Sequence, residues 1–186
     1  MPLPHTEWTV EMLHELPDDG NRYEILNGVL LVSPAPSWRH QHAIGELYFL
    51  LKPYAERLGM HVLMSPAAVI WSQHTELQPD LLVVPLVNGR PAVRFEDVGV
   101  LELAVEVLSP SSVRIDRFTK RREYQARGVG EYWVVDTASR SFERWRPNDE
   151  EPEIVFETLQ WQPRAEAAPL VIDLAQYFRA VHGEAT

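Results

Sequence analysis

Pro79-Asp80-Leu81-Leu82-Val83-Val84 sets an acid at the mouth of an apolar run, and Leu101-Glu102-Leu103-Ala104-Val105-Glu106-Val107-Leu108 sets two more acids inside a second run. A helical segment follows with Asp116, Lys120 and Tyr124 spaced four apart. Both runs have strand length and are bounded by turn residues. A buried carboxylate costs on the order of several kcal/mol unless it is paired, hydrogen-bonded or metal-bound. Glu106, flanked by core-type residues, therefore needs a partner. Because Glu102 and Glu106 are an even number apart, a solvent-facing side of the strand explains them equally well. Asp80 alone reads as a strand-entry residue. Together the acids say more, since adjacent strands lie about 4.8 Å apart and carboxylates on one face can converge on a divalent cation. An all-oxygen site of this kind suits Mg²⁺ or Mn²⁺. Lys120 would supply positive charge to a scissile phosphate or position the attacking water; the plainer reading is a surface pair with Asp116. Lys120 and Tyr124 share a helix face, with Ile115 and Phe118 roughly opposite.

Outward from this stretch, Thr9 caps a short helix over 9–16, stopped by Pro17 and Asp18-Asp19-Gly20. Asn27-Gly28 between two apolar runs predicts a tight hairpin. In its first strand Glu24 and Leu26 share one face, and Tyr23 and Ile25 the other. Residues 38–58 predict a helix with the stripe Ile44, Leu47, Leu51, Tyr54 and Leu58; Pro53 implies a kink or an early end, and Gly59 closes it. Strands are expected over 61–71, with Pro66 at an edge or bulge, over 80–87, and over 100–108 at the centre. A helix over 113–127 and a strand over 131–136 follow. Residues 142–146 and 154–159 predict an outer hairpin, and Asp173 caps a helix over 173–182. This order predicts an α/β or α+β fold with a mixed sheet. It reads as one domain over 1–186, with helix and hairpin 6–33, core 38–136, and C-terminal strands and helix 141–182.

The chain has 186 residues, no cysteine and a formal net charge of −10. Disulfides and thiolate zinc sites are excluded, and a reducing, cytoplasmic setting is expected. The first residues, Met1 to Glu7, lack the basic and apolar regions of a signal peptide. No apolar run is long enough to span a membrane. The acidic balance opposes non-specific adhesion to nucleic acid, so a phosphate-facing surface needs a local basic patch. Arg114 to Arg127 is the densest candidate. His40 and His42 point about 200° apart on a helix and cannot chelate one ion together; His40 could reach the acid site, though a core or surface role is commoner. No His-Glu-x-x-His, Gly-x-Ser-x-Gly, P-loop or dinucleotide fingerprint occurs.

Five segments carry a resemblance: residues 23–40 (Tyr-Glu-Ile-Leu-Asn-Gly-Val-Leu-Leu-Val-Ser-Pro-Ala-Pro-Ser-x-Arg-His), Gln-Pro-Asp-Leu-Leu-Val-Val, Val-Glu-Val-Leu-Ser-Pro-Ser-Ser, the Asp116–Lys120–Tyr124 helix, and Gly-Val-Gly-Glu-Tyr-Trp-Val-Val-Asp at 128–136. In this order, over about residues 8–180, they resemble the Uma-type restriction-endonuclease-like family, a branch of the PD-(D/E)XK nuclease superfamily. The resemblance implies a restriction-endonuclease-like core with flanking helices and an N-terminal β-hairpin. It also implies a divalent-metal site, with Asp80 and Glu106 as metal ligands. The superfamily's lysine would stand two residues after the second acid, where this chain has Leu108; Lys120 is the matching candidate. Glu24, His40 and Tyr124 are expected around the site. The implied substrate is nucleic acid, chiefly DNA, and a homodimer is among the assemblies allowed. A nuclease fold that no longer cleaves and serves in binding or assembly is the alternative, with Trp133, Phe142, Trp145 and Trp161 as candidates for an outward surface, though core is the commoner fate of aromatics.

Overall fold

The computed structural model describes residues 7–184. The expectations for residues 1–6 lie outside these. Helix α1 (Val10–His14) starts at Thr9, whose side chain accepts the Met12 N–H. Strands β1 (Arg22–Leu26) and β2 (Val29–Ser33) turn at Asn27 and Gly28, with φ of 50° and 77°. Two consecutive positive φ values are what a type I′ turn requires. Helix α2 (Trp38–Arg57) is capped by Ser37 and continues through Pro53. The early end does not occur. Proline removes the bond to the Phe49 carbonyl, and Phe49 lies on the exposed side, where water can replace it. Gly59, at φ 70°, follows the helix end.

The strand expected over 61–71 is two strands, β3 (Met60–Met64) and β4 (Val69–Ser72), in different sheets. Pro66 lies between them and has no N–H to continue a ladder. Then come β5 (Thr75–Leu77), β6 (Leu81–Pro85) and β7 (Leu103–Val107). The expected 113–127 helix contains a π-helical turn, Ile115–Lys120, that runs into α3 (Arg121–Ala126). Strands β8 (Glu131–Asp136), β9 (Ser141–Trp145) and β10 (Glu153–Val155) follow, then β11 (Thr158–Trp161), β12 (Leu170–Asp173) and α4 (Leu174–His182). The outer hairpin is β9–β10 alone. Residues 158–161 leave it to pair with β12, which lets Leu159 and Trp161 enter the core.

The result is a mixed α+β fold. The main sheet has the order β10-β9-β8-β7-β6-β3, and a second sheet has the order β2-β1-β5-β4. In the main sheet only β7 and β8 run parallel. Parallel neighbours need a crossover, and the π turn with α3 supplies it.

Strand alternation sorts the core. Leu81, Val83, Leu103, Val105, Val107, Trp133 and Val135 face α2 and α4 in one apolar cluster. Leu82, Val84, Ala104, Tyr132 and Val134 face the other way, against Leu26 of β1, Leu77 of β5 and Tyr124 of α3. Asp80 and Glu106 follow the parity of this second set, so both belong to the face covered by the second sheet and α3.

Candidate functional site

Antiparallel register places Leu81 opposite Val105 and Leu82 opposite Ala104. One step further, Asp80 stands opposite Glu106, and opposite residues share a face. Glu102, Ala104 and Glu106 also share that face, but it is covered, so the solvent-facing explanation fails for Glu106, which is 1% exposed. Glu102, just before β7, pairs with Arg164 at 2.6 Å.

Lys120 is buried and comes from the π turn. Its Nζ donates to Glu24 Oε1 and Oε2 at 2.9 and 2.8 Å and to Glu106 Oε1 at 2.9 Å. The surface-pair reading fails too: Asp116 is equally buried, and its Oδ1 is 3.9 Å from Lys120 Nζ with no hydrogen bond of its own. The Tyr124 hydroxyl donates to Glu106 Oε1 at 3.1 Å. Glu24 also accepts the Gln78 N–H at 2.7 Å. Asp80 is held separately. Arg22 donates to its Oδ1 at 2.6 Å, while Oδ2 accepts the Val107 N–H at 2.8 Å and lies 3.0 Å from His40 Nε2. All six sequence-singled residues, Glu24, His40, Asp80, Glu106, Lys120 and Tyr124, thus meet in one network.

Four carboxylates (Glu24, Asp80, Glu106, Asp116) crowd around Arg22, Lys120 and the imidazole of His40. The titration behaviour follows from this crowding. Burial pushes Glu106 well above the usual carboxylate range; Lys120 opposes the shift, and the neighbouring acids add to it. Burial likewise raises Asp116 to about 6. Burial alone would raise Asp80, but the His40 hydrogen bond and charge, Arg22 and the Val107 N–H hold it at about 2. Burial would lower Lys120, yet Glu106, Glu24 and Asp116 raise it above the usual lysine value. One acid of the facing pair stays ionised while the other tends to take a proton.

Among the described residues no three His, Cys, Asp or Glu side chains are grouped to hold a metal ion. The donor set still fits a hard divalent cation. Its acids supply carboxylate oxygens, these acids outnumber Arg22 and Lys120, and Asp116 Oδ1 is an orphaned buried acceptor. Mg²⁺ asks little more of a protein, being commonly held through one or two carboxylates with water completing its shell.

A cleft of about 1260 Å³ opens onto Arg22, His40 and Asp80, with Glu106 and Lys120 buried behind them. The basic stretch after Ser112 is free only in part, at the exposed Arg114 and Arg122. Arg117 pairs with Glu143 and Asp136, Arg127 pairs with Glu123, and Arg121 lies over Trp145. Trp133, Phe142, Trp145 and Trp161 are all buried and form no outward surface. The sequence reading missed two members of the network. Arg22 shares strand parity with Glu24, a signal that was available. Asp116 enters through the π turn, which left none.

Paired strands carrying opposed acids, faced by a lysine from the crossover helix, give a nuclease-like architecture. The fold matches a solved structure from Anabaena variabilis ATCC 29413 described as a "putative nuclease belonging to DUF820". The TM-score is 0.76 at 17% identity, over 94% of this chain and 99% of that one. The Uma2 family, described as "Putative restriction endonuclease", matches residues 10–175, and the chain belongs to that family. No curated protein matches it.

Proposed function

We propose that the protein is a divalent-metal-dependent nuclease hydrolysing phosphodiester bonds of DNA. One observation carries the reading: Asp80 and Glu106 stand opposite each other on paired strands, with Lys120 bonded to Glu106. Membership of a family described as "Putative restriction endonuclease" supports it. Asp80 and Glu106 would hold the ion, Mg²⁺ or Mn²⁺. Such a cation supplies Lewis acidity toward a phosphate oxygen and makes water a better nucleophile at neutral pH. Lys120 holds its ammonium charge beside Glu106, where it stabilises the charge that builds on the phosphate in the transition state. Glu24 keeps that ammonium in place. Tyr124 orients Glu106, and Arg22 with His40 orients Asp80. Asp80 lines the cleft, so a phosphate reaches the site from that side.

A second reading has its own observation. The acids are already engaged by Lys120, Arg22 and His40, as in a nuclease fold that has closed its site and serves in binding or assembly. Calorimetric titration with Mn²⁺ separates the two. The nuclease reading expects saturable binding by wild type that Glu106→Gln weakens strongly. No binding at millimolar Mn²⁺ would favour the closed module.

A further inference from the structure

We infer that Trp38, on the rim of the cleft, is a stacking platform for an unpaired nucleobase, and that the substrate is therefore single-stranded or carries a single-stranded flap or overhang. This rests on the nuclease reading above.

Six tryptophans occur in the chain, all within the described residues, and Trp38 is the only one classed as exposed, at 87%. It occupies the first position of α2, and His40, two residues on, bonds Asp80 from the same helix. Two residues on a helix project about 200° apart. One side of the first turn therefore reaches the acid network, and the other presents an indole to solvent. Both residues border the cleft of about 1260 Å³.

The charges of the cleft select the class of ligand. Arg22 and Arg39 are its cations, against Asp18, Asp80 and Asp136. Arg22 is committed to Asp80, and in the segment Arg114–Arg127 the cations Arg117, Lys120 and Arg127 are paired with acids, while Arg114 and Arg122 are exposed. That leaves Arg39 as the cleft's one cation without an acid partner among the described residues, and with a chain charge of −10 this is a small positive surface for the phosphates of a long duplex. To that limited charge the exposed indole beside the cleft adds stacking. Bases inside a duplex have their faces covered by their neighbours, so only an unpaired base can use it.

The test compares wild type, Trp38→Ala and Trp38→Phe in fluorescence anisotropy with labelled oligo-dT, oligo-rU and a blunt duplex, without added Mg²⁺ or Mn²⁺. Stacking predicts that Trp38→Ala weakens binding of the preferred single strand about five- to hundredfold. Trp38→Phe should restore most of it, and duplex binding should not change. The dT and rU arms tell DNA from RNA. Equal single-strand affinity of Trp38→Ala and wild type overturns the platform and leaves the nuclease reading standing. So does a change confined to self-association in sedimentation, which would make Trp38 a contact between copies. Wild type that binds no probe, and cleaves none once Mn²⁺ is added, overturns both.

Discussion

Glu106 and Lys120 stand at the centre of the network, and each buried charge is offset by partners: Lys120 by Glu106 and Glu24, Glu106 by Lys120 and Tyr124. A lone buried charge of either sign costs several kcal/mol, on the order of what a whole domain has to spare. Glu106 could be read from the sequence because an acid in Ala-Val-Glu-Val-Leu contradicts its surroundings. Arg22 could not be read as readily, since an arginine at a strand entrance contradicts nothing. Asp116 was hidden by a more ordinary explanation, its spacing of four from Lys120. Its burial leads to a pH prediction. Its pKa in the fold is about 6, above the usual 3.8. The folded state therefore keeps a proton that the unfolded chain releases, and the resulting stability is complete below about pH 4 and lost as pH rises through about 6. Asp116→Asn cannot lose that proton. Relative to wild type, the variant should gain up to about 3 kcal/mol between pH 4 and pH 7 in urea denaturation. Parallel curves across that range would show that Asp116 titrates as an ordinary carboxylate.

The crossover element shows how backbone geometry completes what residue spacing begins. Four residues of an α-helix overshoot a full turn by about 40°, so positions eight apart drift by about 80°. Asp116, Lys120 and Tyr124 are spaced in this way, yet all three are buried. The π turn is wider, so four residues fall short of a full turn, and the following α-helical step restores alignment. The Arg121 N–H bonding to the Asp116 carbonyl marks it. The face opposite the lysine is not buried as well: Phe118 is exposed and Ile115 half-buried. Periodicity located the helix but assumed one pitch throughout, which is why the direction of Asp116 was not legible. Elements with local signals were read closely, among them the Asn27-Gly28 hairpin and the capped ends at Thr9 and Asp173. The two splits, after Met64 and after Val155, depend on which sheet a strand joins, and no local pattern encodes that. Gly130 ties this element to the site. A Cβ there would sit 2.5 Å from the Glu102 carbonyl oxygen, at the entry to the β7–β8 pair. Gly130→Ala should destabilise the protein by about 1–3 kcal/mol. Gly45→Ala, in α2 with open space around the added methyl, should be neutral or stabilising by up to about 1 kcal/mol. Thermal melts of both variants check this, and the close approach at Gly130 is refuted if the two shift alike.

At the scale of the whole molecule, two apolar layers on either side of one sheet leave the sheet's end as the place where charge collects. Asp80 and Glu106 lie there because both acids sit at the same edge of paired strands. The cleft reaches the network from the Asp80 side, while Lys120 and Glu106 stay behind it. Asp80 and Glu106 therefore differ in setting: one is fixed in its ionised form beside the cleft, the other is held by a lysine and a tyrosine in the interior. The order of matching segments along the chain carried the family reading further than any one motif. It could not show that Arg117 of the basic stretch would be taken up in ion pairs, because its partners, Asp136 and Glu143, come from β8 and β9. The central claim is that this network cleaves nucleic acid. Its most direct test is cleavage of supercoiled plasmid and single-stranded DNA with Mg²⁺ or Mn²⁺ by wild type, Asp80→Ala and Glu106→Ala, each checked for folding. Wild type should cleave at least one substrate, with EDTA abolishing it and both variants slower by about a hundredfold or more. Equal cleavage by all three proteins, or none by wild type with either ion, would contradict it.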